Sequence, residues 1–361
     1  MHEMKKAENQ CPFLQACRRQ RTAYTPIWLM RQAGRYMKEY RALRKKHSFI
    51  EMCKNPEIAA RVTLQPLKKF ELDAAIIFSD ILIPLEPMGV EFEFAKGEGP
   101  VFRRPLREMK DVEKLRIIDP EEDTPFLMTA IRMVRKELEG KIPLIGFSGA
   151  PFTLASYVIE GGHSKNYVAT KTLMYRNRPV WDALMEKITA VLIRYLNAQV
   201  RSGVQALQLF DSWVGCLSQT DYEEYILPHS KKVIDRVDKT VPFIHFATSN
   251  STLLELMKRA GGDVIGVDWR IDLGEAWTRL GKGVAIQGNL DPVVLLGPVS
   301  LIEKEAKRIL DGARNRPGHI FNLGHGLLPE TPVDHVAALV DIVHEYSSKK
   351  SNSNYQIPSS K

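Results

Sequence analysis

The sequence predicts an α/β protein folded as a single (β/α)8 TIM barrel, and two observations carry that prediction. Eight short apolar runs recur between Ile27 and Leu323, and most of them end in a polar or charged residue. Stretches with helical spacing separate nearly all of these runs. An open doubly wound sheet is the competing architecture, but the Gly-rich dinucleotide fingerprint expected after its first strand is absent.

In chain order, residues 1–20 are polar and expected to be loosely ordered, ahead of a barrel domain spanning 21–347. The barrel opens on Pro26-Ile27-Trp28-Leu29-Met30, which gives way at once to Arg31-Gln32-Ala33-Gly34-Arg35-Tyr36. Arg31 and Arg35 are four residues apart, so a helix or a turn about Gly34 can aim both the same way. Asn55-Pro56-Glu57 reads as a helix start, with Asn as cap and Pro in the first turn; Pro66 bends or splits that helix before Phe70. Residues 74–78 form the second strand, which ends in Ser79-Asp80. Glycine, proline and charge mark 88–106, where the alternation of Val90-Glu91-Phe92-Glu93-Phe94 predicts a short side hairpin. Further strands are expected over 143–147, 206–210, 242–246, 264–267, 285–287 and 320–323. Helices are expected over 179–200, 222–237, 253–258, 301–310 and 333–346. Residues 348–361, repetitive in Ser, Asn and Lys, read as a disordered polar tail.

In a closed barrel the residues just past each strand share one rim, where active sites are built. That rim collects Arg31, Arg35, Asp80, Ser148, Asp211, Ser212, His245, Asp268, Asn289 and His325. Tyr157 joins them if the segment after Pro151 is a helix that starts at the rim. The set is cationic and hydrogen-bonding with few carboxylates, and Asp80 is the odd acid in a basic bowl. Two guanidinium forks held together suit carboxylates or phosphates, because each fork donates in a bidentate pair. Every one of these residues also has a plainer reading. Asp80 can cap a turn or pair with Arg31, Ser212 can cap a helix, and Tyr157 can be a half-buried core residue. His325 can be a loop residue, and the arginines can lie on a solvated face.

Charge narrows the partners. Between Arg31 and Lys69 stand 11 Lys and Arg against 3 acidic residues, an excess as large as the +8 of the whole chain. No aromatic-interleaved basic ribbon accompanies it, so an acidic small molecule is expected rather than nucleic acid. No apolar run approaches the roughly 20 residues of a membrane span, and the N-terminus lacks an apolar signal core. A cytoplasmic protein without a membrane partner is therefore expected. Cys11, Cys17, Cys53 and Cys216 show no C-x-x-C spacing, and H-E-x-x-H and H-x-H clusters are missing, so no metal is expected. Strand ends that lack a pair of Glu also speak against a glycosidase.

Five stretches resemble the uroporphyrinogen decarboxylase family of tetrapyrrole (haem and chlorophyll) biosynthesis. They are Met30-Arg31-Gln32-Ala33-Gly34-Arg35-Tyr36, Ala74-Ala75-Ile76-Ile77-Phe78-Ser79-Asp80-Ile81-Leu82, Pro143-Leu144-Ile145-Gly146-Phe147-Ser148-Gly149-Ala150-Pro151, Gln287-Gly288-Asn289-Leu290-Asp291-Pro292 and Asn322-Leu323-Gly324-His325-Gly326. The resemblance spans residues 26 to about 346 and leaves both termini outside. It implies a carboxy-lyase without a cofactor that turns the four acetate arms of uroporphyrinogen III into methyl groups, giving coproporphyrinogen III. It also implies a homodimer. In its terms Asp80 and Arg31 are catalytic, and Arg31, Arg35, Asp80, Tyr157, Ser212 and His325 bind substrate. The rival is a corrinoid or thiol methyltransferase of the same fold, whose zinc is held by an H-x-C motif and a later cysteine. Here the corresponding stretch is His245-Phe246-Ala247, and no cysteine follows Cys216.

Overall fold

Seven parallel strands hydrogen-bond in strict spatial succession in the computed structural model, which describes residues 11–95, 99–138, 140–162 and 164–353. Numbering all strands in chain order, the barrel sheet contains β1 (Ala75–Ile76), β4 (Leu144–Gly149), β5 (Ala206–Asp211), β6 (Phe243–Ala247), β7 (Val264–Gly266), β8 (Ala285–Gln287) and β9 (His319–Ile320). The eighth position is filled by residues 26–29. Phe321 N donates to Pro26 O at 2.8 Å on one side, and Asp73 N donates to Ile27 O at 2.9 Å on the other. This segment forms a single bridge, Ile27 to Phe321, rather than a regular strand. The reason is local: Ile27 N donates to the Asp73 carboxylate at 2.7 Å, which replaces a strand carbonyl.

The barrel interior is lined by residues that alternate with outward-facing ones along each strand. Trp28, Ile145, Ala206, Ile244, Phe246, Val264, Ala285 and Ile320 form one inner cluster, and the helices cover the outer face. Expected helices appear close to their predicted limits as Arg178–Ser202, Leu254–Ala260 and Val299–Gly312, while Val333–Ser353 starts where expected and runs seven residues longer. The helix predicted over 222–237 divides into a wide turn, Tyr222–Ile226, and a helix, Leu227–Arg236. Pro228 has no N–H to donate to the turn before it, which accounts for the break. The helix after Asn55 runs from Pro56 to Leu64, capped by Asn55 accepting from Ile58 N at 2.9 Å, and Pro66 opens a separate tight turn.

The side hairpin is β2 (Phe92–Ala95) antiparallel to β3 (Gly99–Phe102), inside the predicted 88–106. Two expectations need correction. Residues 11–20 are not loosely ordered: Pro12–Cys17 is a helix whose Phe13, Leu14, Ala16 and Cys17 are buried. Their apolar side chains join the inner cluster, and Arg19 reaches Lys282 O at the N-terminal end of the strands, so this helix plugs the barrel floor. Burying a Phe and a Leu outweighs the polar composition around them. At the other end, Val333–Ser353 carries helix into the stretch expected to be disordered. The rest of that stretch and residues 1–10 lie outside the described residues.

Candidate active site

Arg31 stands on a turn braced from beneath. Met30 N donates to Asn322 Oδ1 at 3.1 Å, Leu327 N donates to Met30 O at 2.9 Å, and Gln32 Nε2 donates to Ala74 O at 3.2 Å. The backbone of Arg31 has φ +60°, a left-handed conformation that costs a side-chain-bearing residue about 1 kcal/mol or more. Its stem lies directly against Gly326, where an added Cβ would come within 2.3 Å of Arg31 Cδ. Gly326→Ala is therefore expected to fold normally while kcat/KM falls about 10–100-fold, because the guanidinium must move. Steady-state kinetics alongside a melting curve check this; unchanged kinetics would mean that the placement of Arg31 is not critical.

Arg35 lies exposed at the edge of the same cleft. Neither Arg31 nor Arg35 makes a side-chain hydrogen bond or ion pair with any described residue. Other cations of the basic stretch are consumed locally. Arg41 donates to Arg35 O and Tyr36 O at 2.8 and 2.7 Å, Lys69 pairs with Glu39 and Lys54 with Glu86. Crowding by the cleft walls lowers the Arg31 guanidinium below its usual range, Arg35 adds to this, and Asp80 opposes it.

Asp80 follows β1 by four residues, and the segment between them is held by Phe78 N donating to Thr63 Oγ1 at 2.8 Å. One carboxylate oxygen of the half-buried side chain accepts from Leu82 N at 2.9 Å, and the other makes no hydrogen bond or ion pair with a described residue. Burial pushes its pKa up to about 6, with the Leu82 amide and Arg31 pulling the other way. Tyr157 lies on the helix Pro151–Glu160, which does begin at the rim after β4. Its ring meets Trp213 edge-on at 5.8 Å and stacks on Phe102 of the side hairpin at 6.2 Å. Burial, helped by Asp80, pushes the phenol up to about 12 despite its hydrogen bond with the Trp213 side chain.

Ser212 and His325 line one cavity of about 370 Å³ together with Tyr167, Thr248, Trp269 and Arg270. Burial first, and then Arg31, pulls the His325 pKa down to about 4, so its imidazole is neutral near neutral pH. Arg31 thus feels Asp80, Tyr157 and Arg35 and is itself felt by His325. The fold places Arg31, Asp80, Tyr157, Ser212 and His325 at one end of the barrel, with Arg35 at the border.

Four rim candidates face elsewhere. His245 lies mid-strand between the inward-facing Ile244 and Phe246, so it points out into the helix layer, fully buried. Ser148 is buried and donates to Gly149 O, and Asn289 braces the loop after β7 through Asp268 O and Ile271 O. Asp211 is buried behind Ser212, with a pKa pushed up to about 7 by burial, and accepts from Thr153 Oγ1 at 2.9 Å. The same hydroxyl accepts from Trp213 N, which fixes the loop carrying Ser212. Sequence reasoning stopped at Asp268 and missed Trp269 and Arg270, although both come straight after a predicted strand. Among the described residues, no group of three or more His, Cys, Asp or Glu is arranged to hold a metal.

A family model described as Uroporphyrinogen decarboxylase (URO-D) matches residues 8–346. The chain belongs to the uroporphyrinogen decarboxylase family. A uroporphyrinogen decarboxylase of Carboxydothermus hydrogenoformans is 58% identical over 337 residues, covering 93% of this chain and 96% of the relative. One from Sorangium cellulosum is 56% identical over 333 residues, covering 92% and 95%. Among solved structures, a methyltransferase from Methanosarcina mazei superposes with a TM-score of 0.79 over 94% of this chain and 98% of that one, at 20% identity. That likeness shows the shared barrel alone. The uroporphyrinogen decarboxylase match starts well before residue 26, so it includes the Pro12–Cys17 plug, which lies outside the five resembling stretches.

Proposed function

We propose that this chain decarboxylates the four acetate arms of uroporphyrinogen III to methyl groups, giving coproporphyrinogen III, without a metal or organic cofactor. The observation that carries the reading is a single carboxylate, Asp80, with one open oxygen beside an unpaired guanidinium in one cleft. Loss of CO₂ from an acetate on a pyrrole needs an electron sink. A proton added to the ring makes it a cation centred on the N–H, and the breaking CH₂–CO₂ bond delivers its electron pair there. A second proton then adds at the former acetate carbon and the ring proton leaves, so each CO₂ released consumes one proton. Ionised Asp80 accepts the pyrrole N–H groups and stabilises the ring cation as it forms. Arg31 orients the reacting acetate, and Arg35, Tyr157, Ser212 and His325 bind the remaining arms. His325 acts as a neutral hydrogen-bonding group, because its pKa near 4 leaves little imidazolium to serve as an acid.

A cytoplasmic homodimer remains part of this proposal, supported by the resemblance to the family; no helix among the described residues is long and apolar enough to cross a membrane. The deciding experiment is anaerobic turnover of uroporphyrinogen by the purified chain without added metal. Stepwise loss of four CO₂ is expected, with KM rising steeply with salt because a cationic cleft meets an octa-acid. Absence of turnover, or turnover only after metal is supplied, would overturn the reading.

A further inference from the structure

Arg270 is a cation that neither the sequence pattern nor the roles above include. It sits four residues past Val264–Gly266, in the turn that follows the strand, on the wall of the cavity that also holds Ser212 and His325. Its side chain is 47% exposed, while its partner Asp268 is fully buried. Three contacts hold it in place. One guanidinium nitrogen pairs with the Asp268 carboxylate, the Arg270 amide donates to the same carboxylate at 3.1 Å, and the guanidinium plane lies over the Trp269 ring at 4.3 Å. Asp268 is in turn fixed by Ser249 N at 2.6 Å, and Asn289 braces the adjoining backbone through Asp268 O. The loop carrying His325 is pressed against this unit, since a Cβ on Gly324 would come within 2.7 Å of Trp269 N.

A surface arginine loses much rotamer freedom when it grips a ligand, but an arginine already stacked and tethered loses little. Asp268 occupies one edge of the guanidinium fork, and the remaining N–H groups have no partner among the described residues. Arg270 also lies close enough to His325 to lower its pKa further, which places its charge toward the cleft. We infer that Arg270 is a third carboxylate-binding arginine of the cleft, receiving one carboxylate arm of a polycarboxylate tetrapyrrole on the Ser212–His325 side. The inference deepens the proposed function and rests on it for the identity of the ligand.

Equilibrium binding tests it apart from catalysis. Uroporphyrin, the oxidised octacarboxylate, is titrated by fluorescence into the wild-type chain, Arg270→Met and Arg270→Lys over a series of salt concentrations. Arg270→Met is expected to weaken binding about 10-fold and flatten its salt dependence, while Arg270→Lys restores most of the affinity. In anaerobic kinetics the loss should fall on KM, with kcat within about twofold. An unchanged dissociation constant and salt slope in Arg270→Met would overturn the inference. So would weaker binding that comes with a lower Tm and is not rescued by Lys, because Arg270 would then only prop Asp268. A wild-type chain that fails to bind the octacarboxylate sinks it as well. A wild type that binds uroporphyrin in the expected Arg270-dependent way, yet turns over no uroporphyrinogen, would sustain Arg270 and sink the decarboxylase reading instead.

Discussion

Asp80→Asn is expected to lose kcat by about 10²–10³-fold while melting at or above the wild-type temperature. The substitution keeps the size of the side chain, and its amide oxygen can still accept from Leu82 N. Only the charge is removed, and with it the stabilisation of the ring cation. The stability side follows from the raised pKa. Folding holds the carboxyl at about 6 against its ordinary 3.8, so the folded state binds the extra proton between these values. Stability from this group is then fully present below about pH 4 and is lost as pH rises through 6. At higher pH the ionised carboxylate is a burden that Asn lacks. The Tm gap between variant and wild type should therefore close on acidification. Turnover points the opposite way: wild-type kcat/KM should fall below about pH 6 as Asp80 takes up its proton, and the residual activity of Asp80→Asn should lack that limb. A folded Asp80→Asn protein with near-normal kcat would remove the centre of the mechanism. So would a variant with lost stability and intact turnover, the signature of a mere turn cap.

Arg31 carries the second large effect. Arg31→Lys keeps a cation but gives up the planar fork that can hold a carboxylate through two parallel bonds, and kcat/KM is expected to drop by about 10²-fold. Arg31→Asn removes the charge altogether and should cost about 10³-fold. The two variants should differ in stability for a backbone reason. Lys inherits the strain of φ +60°, whereas Asn tolerates the left-handed region, so Arg31→Asn should melt no lower than the wild type. Loss of fold in both variants, rather than loss of activity in folded protein, would assign Arg31 a structural role. Because its guanidinium makes no hydrogen bond or ion pair with a described residue, that outcome is not expected.

Elements with local causes were readable in the chain itself. The Asn55 cap, the break at Pro66 and the hairpin within 88–106 all appear where residue chemistry put them. So do the apolar runs that became seven strands and one bridge. The same runs end in Arg31, Asp80, Ser212 and His325, which is why a rim could be collected from sequence at all. Pattern alone failed where a side chain's direction depends on strand phase. Position after an apolar run puts His245 and Ser148 on the rim, yet both are buried away from the cleft.

What the sequence by itself determined was the β/α alternation, the cationic character of one early segment and the family motifs, because these depend on residue type and near neighbours. Only the tertiary structure decided which cations stay free. Of the basic stretch, Arg41, Lys54 and Lys69 are taken up by carbonyls and carboxylates from other turns, while Arg31 and Arg35 are left open. It also decided that the polar-looking N-terminus supplies Phe13 to the barrel floor, and that the surroundings of the half-buried Asp80 push its carboxyl up to about 6. Arg270, held by Asp268 and Trp269, was recruited to the cleft in the same way. The physical reason is common to all of these. Burial, desolvation and pairing are set by which distant segments meet, and barrel closure brings residues 31, 80, 157, 212, 270 and 325 together from six separate loops and helices.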